Sequence, residues 1–185
     1  MASIDYLKFY DDENYLMGEV AQKFHEAGTI DPVDFYMLLI WKANRAKGYH
    51  KKRLQKKASG SFKEAVSRIA TSLWTCAERK ERMQILVEDW EFSLPTATAI
   101  LAILYPSEFT VYDYRVCDEL KHDYRPYLSF SASLWAEYEE FQKKVEREAP
   151  ADLCLRDKDR FLTGRSYRKG IEAECIEDAG GIETI

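Results

Sequence analysis

Apolar side chains recur along this chain at intervals of three and four, the period of a helix with one buried face. In "NYLMGEVAQKFHEAG", Leu16, Val20 and Phe24 form such a stripe and Gly28 ends it. "DPVDFYMLLIWKANRAKG" opens with Asp31 as a cap and Pro32 in the first turn, a strong start signal. Its apolar run is dense enough to predict a buried central helix that turns polar through Lys42, Asn44 and Arg45 and ends near Gly48. "SFKEAVSRIATSLW" sets Ser61 and Glu64 at capping-box spacing and points Phe62, Val66, Ile69 and Leu73 inward. "ERKERMQILVEDW" predicts another short helix, followed by a turn and the alanine-rich helix "TATAILAILYP".

After Pro106 the pattern changes. "FTVY" has strand-like composition, but no partner strand follows, so it predicts an extended connection leading into a helix over "DYRVCDELK". "SASLWAEYEEFQKKVEREA" is an amphipathic helix ended by Pro150. "RDKDRFLTGRSYRKGIEAECIE" predicts a last helix, interrupted or kinked around Gly164 and Gly170. The expectation is a single all-α domain over residues 1–185 with about eight helices. Its residues 121–185 would supply C-terminal helices that pack with the N-terminal one.

Composition adds constraints. An apolar fraction of 46% and an aromatic fraction of 14% fit a packed interior. Trp41, Trp74, Trp90 and Trp135 read as core. The formal charge of −5 speaks mildly against a nucleic-acid binder, yet it is unevenly spread. No acidic residue lies between Asp34 and Glu64, where Lys42, Arg45, Lys47, Lys51, Lys52, Arg53, Lys56 and Lys57 fall, while "GIEAECIEDAGGIETI" is acidic. Cys76, Cys117, Cys154 and Cys175 form no CxxC pair, and His25, His50 and His122 show no metal-ligand spacing, so no metal or cofactor is expected. Reduced thiols, no signal peptide and no long apolar span predict a cytoplasmic protein without a membrane partner.

The order helix, short turn, "TATAIL" helix, "FTVY" and then Asp113 resembles the helix-hairpin-helix superfamily of base-excision DNA glycosylases. Thr96 and Ala97 match the Thr-Ala pair that opens the second hairpin helix, and Val111, Tyr112 and Asp113 fall where its aspartate is expected. "LLIWKANRAKGYHKK" also looks like the "WKxxR" helix of an uncharacterised bacterial branch of that superfamily. The likeness covers residues 35–120, with the hairpin at 91–96. It implies a protein that binds double-stranded DNA and hydrolyses the N-glycosidic bond of a damaged or mispaired base extruded from the duplex.

Asp113 would be the carboxylate that stabilises the cationic sugar or orients the attacking water. A hairpin followed by a helix aims backbone N–H groups and a helix dipole at one phosphate. Glu91, Phe92 and Ser93 stand where the superfamily has Gly-hydrophobic-Gly. Phe92 supplies the hydrophobe, Glu91 adds bulk and negative charge, and Ser93 and Thr96 keep hydroxyls that can donate to an oxygen. Pro95 stands where lyase-competent members carry lysine, so the implied enzyme is monofunctional.

Lys42, Asn44, Arg45, Lys51, Lys52, Tyr112 and Arg115 complete the expected nucleic-acid contacts, with Tyr112 and Tyr114 placed to stack on a flipped base. For each there is a plainer role: Asp113 as a helix cap, the cations as a solvated face, the tyrosines as core. Two other functions stay open. One is a non-catalytic nucleic-acid or protein-binding module on the same scaffold. The other is a ribonuclease of the HEPN type, whose Arg-x4-His motif Arg45 and His50 imitate.

Overall fold

The computed structural model describes residues 7–127 and 129–179; the end of the acidic C-terminal stretch, 180–185, lies outside the described residues. Every regular element among the described residues is a helix, and none is a strand. A 3-10 turn (Leu7–Phe9) precedes α1 (Asp12–Tyr15), which runs through a π turn (Leu16–Val20) into α2 (Ala21–Ala27). There follow α3 (Pro32–Ala43), α4 (Lys47–Lys57), α5 (Phe62–Thr75) and α6 (Arg79–Gln84), the last extended by a π turn (Ile85–Asp89). Next come α7 (Leu94–Leu104), α8 (Tyr114–Glu119), α9 (Ala132–Glu148) and α10 (Leu155–Ala179). Counting α1 and α2 as one, the described residues form nine helices, close to the number the periodicity predicts.

The start signals act as side-chain caps. The Asp31 carboxylate accepts from the Val33 N–H at 2.7 Å, and the Ser61 hydroxyl from that of Glu64 at 3.1 Å. Gly28 closes α2 with φ +65°, and a Cβ there would lie 2.6 Å from Trp74. Trp74 covers that glycine from outside the core and remains 51% exposed, contrary to the expectation for all four tryptophans. The helix predicted to reach Gly48 stops at Ala43. A turn at 44–46 redirects the chain, with Lys47 Nζ donating to the Asn44 carbonyl at 2.9 Å, and Gly48 lies inside α4. Gly164 and Gly170 do not interrupt α10, because an isolated glycine weakens a helix without breaking it.

The central helix is α7 rather than α3. All of Leu94–Leu104 is buried, as an almost uncharged sequence allows, whereas α3 buries only Asp34, Phe35, Leu38 and Leu39. α2, α3, α6 and the π turns Leu16–Val20 and Ile85–Asp89 pack around α7, and Leu16, Phe24, Leu38, Ile69 and Met83 join it in one core. α10 reaches back to the N-terminal helix through Arg156 and Arg160, which both meet Glu13.

The stretch Phe109–Asp113 is extended and largely buried, and side chains replace the missing partner strand. Tyr138 Oη accepts from the Thr110 N–H at 3.0 Å and donates to the Thr110 carbonyl at 2.9 Å. Asp159 Oδ2 accepts from the Val111 N–H at 3.1 Å, and Thr98 Oγ1 from the Tyr112 N–H at 3.0 Å. Thr98 Oγ1 donates its own proton to the Leu94 carbonyl at 2.9 Å. Each buried amide so satisfied avoids a desolvation penalty of about 1–3 kcal/mol. Thr98→Val keeps the shape and removes the acceptor. It is expected to lower stability by about 1–3 kcal/mol in urea denaturation, with Thr98→Ser closer to the parent.

Candidate functional site

The end of α3, the extended stretch, the start of α8 and the first half of α10 line an open-sided cavity of about 560 Å³. Trp41 and Lys42 come from α3, Val111 and Asp113 from the extended stretch, and Arg115 from α8. Glu13 adds one wall, and Arg156, Asp159, Arg160, Thr163, Gly164 and Tyr167 of α10 form the facing one. The sequence pattern fixes Lys42 because α3 ends one residue later, so the buried face of the helix delivers the ammonium at its mouth.

Asp113 has two partners, one for each oxygen. Lys42 Nζ donates to Oδ2 at 2.8 Å, and the Arg115 N–H donates to Oδ1 at 3.0 Å, so Asp113 also caps α8. The Asp113 and Lys42 side chains are 24% and 13% exposed, withdrawn from bulk solvent yet open to the cavity. Burial pushes the Asp113 carboxyl up, but the Lys42 charge and hydrogen bond, with the Arg115 N–H and charge, outweigh it and hold the group below the usual carboxylate range. Asp113 is therefore ionised at neutral pH.

Behind it lies a second charged network. Arg156 Nη1 donates to Asp159 Oδ2 at 2.6 Å and Nη2 to Glu13, while Arg160 Nε stands 3.4 Å from Glu13. Burial raises the Asp159 carboxyl, against Arg156 and the bonds from Val111 and Thr110. The lining thus holds four cations and three carboxylates. No group of three His, Cys, Asp or Glu side chains among the described residues is placed to hold a metal ion.

The other expected site residues lie elsewhere. Asn44 and Arg45 sit on the exposed turn after α3 and do not line the cavity. Lys51 and Lys52 are exposed on α4, where Lys51 Nζ lies 5.4 Å from the Tyr36 ring centroid. No residue of 91–96 lines the cavity. Thr96 is buried and pairs with Ser93 through hydroxyls 3.3 Å apart, and neither lines the cavity. At the hairpin Glu91 takes a left-handed φ of +55° and Lys57 Nζ binds its carboxylate at 2.7 Å. Phe92 is buried as expected.

Tyr112 cannot stack on a base in this conformation, because it is fully buried. Its ring lies on Tyr124 at 5.5 Å, and its hydroxyl accepts from the Arg125 N–H at 3.0 Å and donates to the Asp123 carbonyl at 3.2 Å. Arg115 is exposed, with its guanidinium 4.8 Å from the exposed Tyr114 ring. His50 is buried against Phe92 and accepts from Arg53; burial first, then Arg53, lowers its pKa to about 4. Arg45 is exposed, so the ribonuclease-like pair presents no shared accessible surface.

The α10 wall and Glu13 were not singled out by the sequence. The one hint was the spacing of Arg156, Arg160, Gly164 and Tyr167, which puts a polar stripe on one helix face. The architecture is an all-α fold with a charged cavity, and no helix among the described residues is long and apolar enough to cross a membrane. Comparison with protein-family models, curated proteins and solved structures finds no match.

The Lys42–Asp113 pair gives a pH test. A carboxylate whose folded pKa is depressed contributes stability above its unfolded value, and that contribution is lost as pH falls through the folded value. Asp113→Asn is expected to cost about 2 kcal/mol near pH 7. The difference from the parent should shrink on acidification below about pH 4, measured by denaturant titration across pH.

Proposed function

We propose that the protein binds double-stranded DNA and hydrolyses the N-glycosidic bond of a nucleotide extruded into the cavity, as base-excision glycosylases do. The observation that carries the reading is the ionised Asp113 on the cavity wall, with Lys42 at 2.8 Å and aromatic rings of Trp41 and Tyr167 in the same lining. A base must leave the duplex before its glycosidic bond can be reached, and a cavity bearing rings and cations suits an extruded nucleotide.

In this reading the bond between sugar and base breaks with its electron pair leaving on the base. Asp113 stabilises the cationic sugar, water adds to that carbon, and the proton released by water ends on the departing base. A carboxylate held ionised in a partly desolvated site stabilises such a cation more than one in bulk water. Lys42 and the Arg115 N–H fix where the carboxylate points, and Lys42 keeps it charged. Pro95 is buried in α7 and has no amine, in line with a monofunctional hydrolase.

A second reading, a binding module without catalysis, draws on the hairpin. There Glu91 occupies Lys57, and its charge stands where a phosphate would approach. One experiment separates the two. A panel of duplexes, each with one damaged or mispaired base, is scored for abasic sites by alkaline strand cleavage. Hydrolysis on one of them, reduced about a hundred-fold or more by Asp113→Asn, is the expected result. Duplex binding with no abasic product would favour the binding module, and product undiminished by Asp113→Asn would remove Asp113 from the chemistry.

A further inference from the structure

α4 lacks a feature that other surface helices of this protein share. Those helices interleave their charges: Lys23 stands 4.0 Å from Glu19, Arg160 3.2 Å from Asp157, and Arg168 2.6 Å from Glu172. Such pairs, three or four residues apart, support a helix in water. α4 has none, because no acidic residue occurs between Asp34 and Glu64. Its cations instead fall four residues from one another: Lys47 and Lys51, Lys52 and Lys56, Arg53 and Lys57. Like charges at that spacing weaken a helix, so a face that meets only water gains nothing from the pattern.

Several of these cations are engaged within the protein. Lys47 binds Asn44, Lys51 lies over the Tyr36 ring, Arg53 lies over the Tyr49 and Phe92 rings, and Lys57 binds Glu91. Lys52 and Lys56 are exposed and meet no carboxylate among the described residues. They share one side of the helix with Tyr49, which is 65% exposed, because positions 49, 52 and 56 are three and four apart. The helical rise sets Lys52 and Lys56 about 6 Å apart along the axis, a separation that neighbouring phosphates of one strand can match.

We infer that this side of α4 holds the phosphate backbone of a DNA duplex, with Lys52 and Lys56 on phosphates of one strand and the Tyr49 hydroxyl donating to a phosphate oxygen. The hairpin at 91–96 is less suited to that contact, since the Glu91 carboxylate stands there and takes up Lys57. The overall charge of −5 disfavours phosphates on the rest of the surface, whereas a helix with no carboxylate of its own attracts them. The assignment takes its partner from the DNA reading above, but it needs neither a lesion nor Asp113.

The test is fluorescence anisotropy with a fully paired, lesion-free duplex at one fixed ionic strength. Lys52→Gln combined with Lys56→Gln is expected to lower affinity roughly ten-fold. Lys80→Gln combined with Lys143→Gln removes two exposed lysines from α6 and α9 and should change affinity by less than about two-fold. In thermal melts the α4 variant should melt no lower than the parent, because repulsion within the helix is relieved. A clear fall would mean that these lysines serve the fold, and overturns the assignment. Equal losses in the two variants, as net charge alone would give, also overturn it, and so does unchanged affinity in the α4 variant, while the DNA reading stands. A parent protein that does not bind the duplex overturns both, whether or not it binds phosphatidylserine vesicles. Duplex binding through α4 with no abasic product on the lesion panel supports α4 and removes the glycosylase.

Discussion

The structure depends on satisfying the backbone of one buried, extended stretch without a sheet. Phe109–Asp113 runs through the interior as a strand would, and its amides find Tyr138, Asp159 and Thr98 instead of a neighbouring strand. These side chains come from α9, α10 and α7, so one short segment ties three helices together. An unpaired amide in this place would cost as much as several buried methyl groups contribute. The stretch also ends on Asp113, whose carboxylate is then held by Lys42 of α3 and the Arg115 N–H of α8.

That arrangement explains what was legible in the sequence. The caps at Asp31 and Ser61, the stop at Gly28 and the stripe of Leu16, Val20 and Phe24 are local signals, and the helices they announce are present. "FTVY" reads correctly as extended because β-branched and aromatic residues favour that backbone. What satisfies it is not legible, since Thr98, Tyr138 and Asp159 are distant in sequence. The choice of α7 over α3 as the central helix is visible in composition: both are rich in apolar residues, but α7 carries no charge whereas α3 carries Asp34 and Lys42.

The cavity shows the same division. Lys42 and Asp113 stand out in sequence, one at the polar end of an apolar helix and one at a helix start, and the fold brings them to 2.8 Å. Glu13, Arg156 and Asp159 look like ordinary surface charges on amphipathic helices. They are recruited by tertiary structure: Arg156 bridges Asp159 and Glu13 across 143 residues of chain. Tyr112 shows the converse. Its position beside Asp113 suggests a ligand contact, yet alternation along an extended backbone sends neighbouring side chains to opposite sides, and Tyr112 takes the inner one.

The hairpin carries one more consequence. Glu91 adopts a backbone conformation that glycine would take without strain, and Lys57 is tethered to its carboxylate on the protein surface. The basic face of α4 therefore keeps one of its ammonium groups occupied by an internal counter-ion at low ionic strength. Added electrolyte weakens such an exposed pair while it screens any polyanion lying along α4. The two effects oppose each other, so attraction to that face declines with ionic strength less steeply than its number of lysines implies.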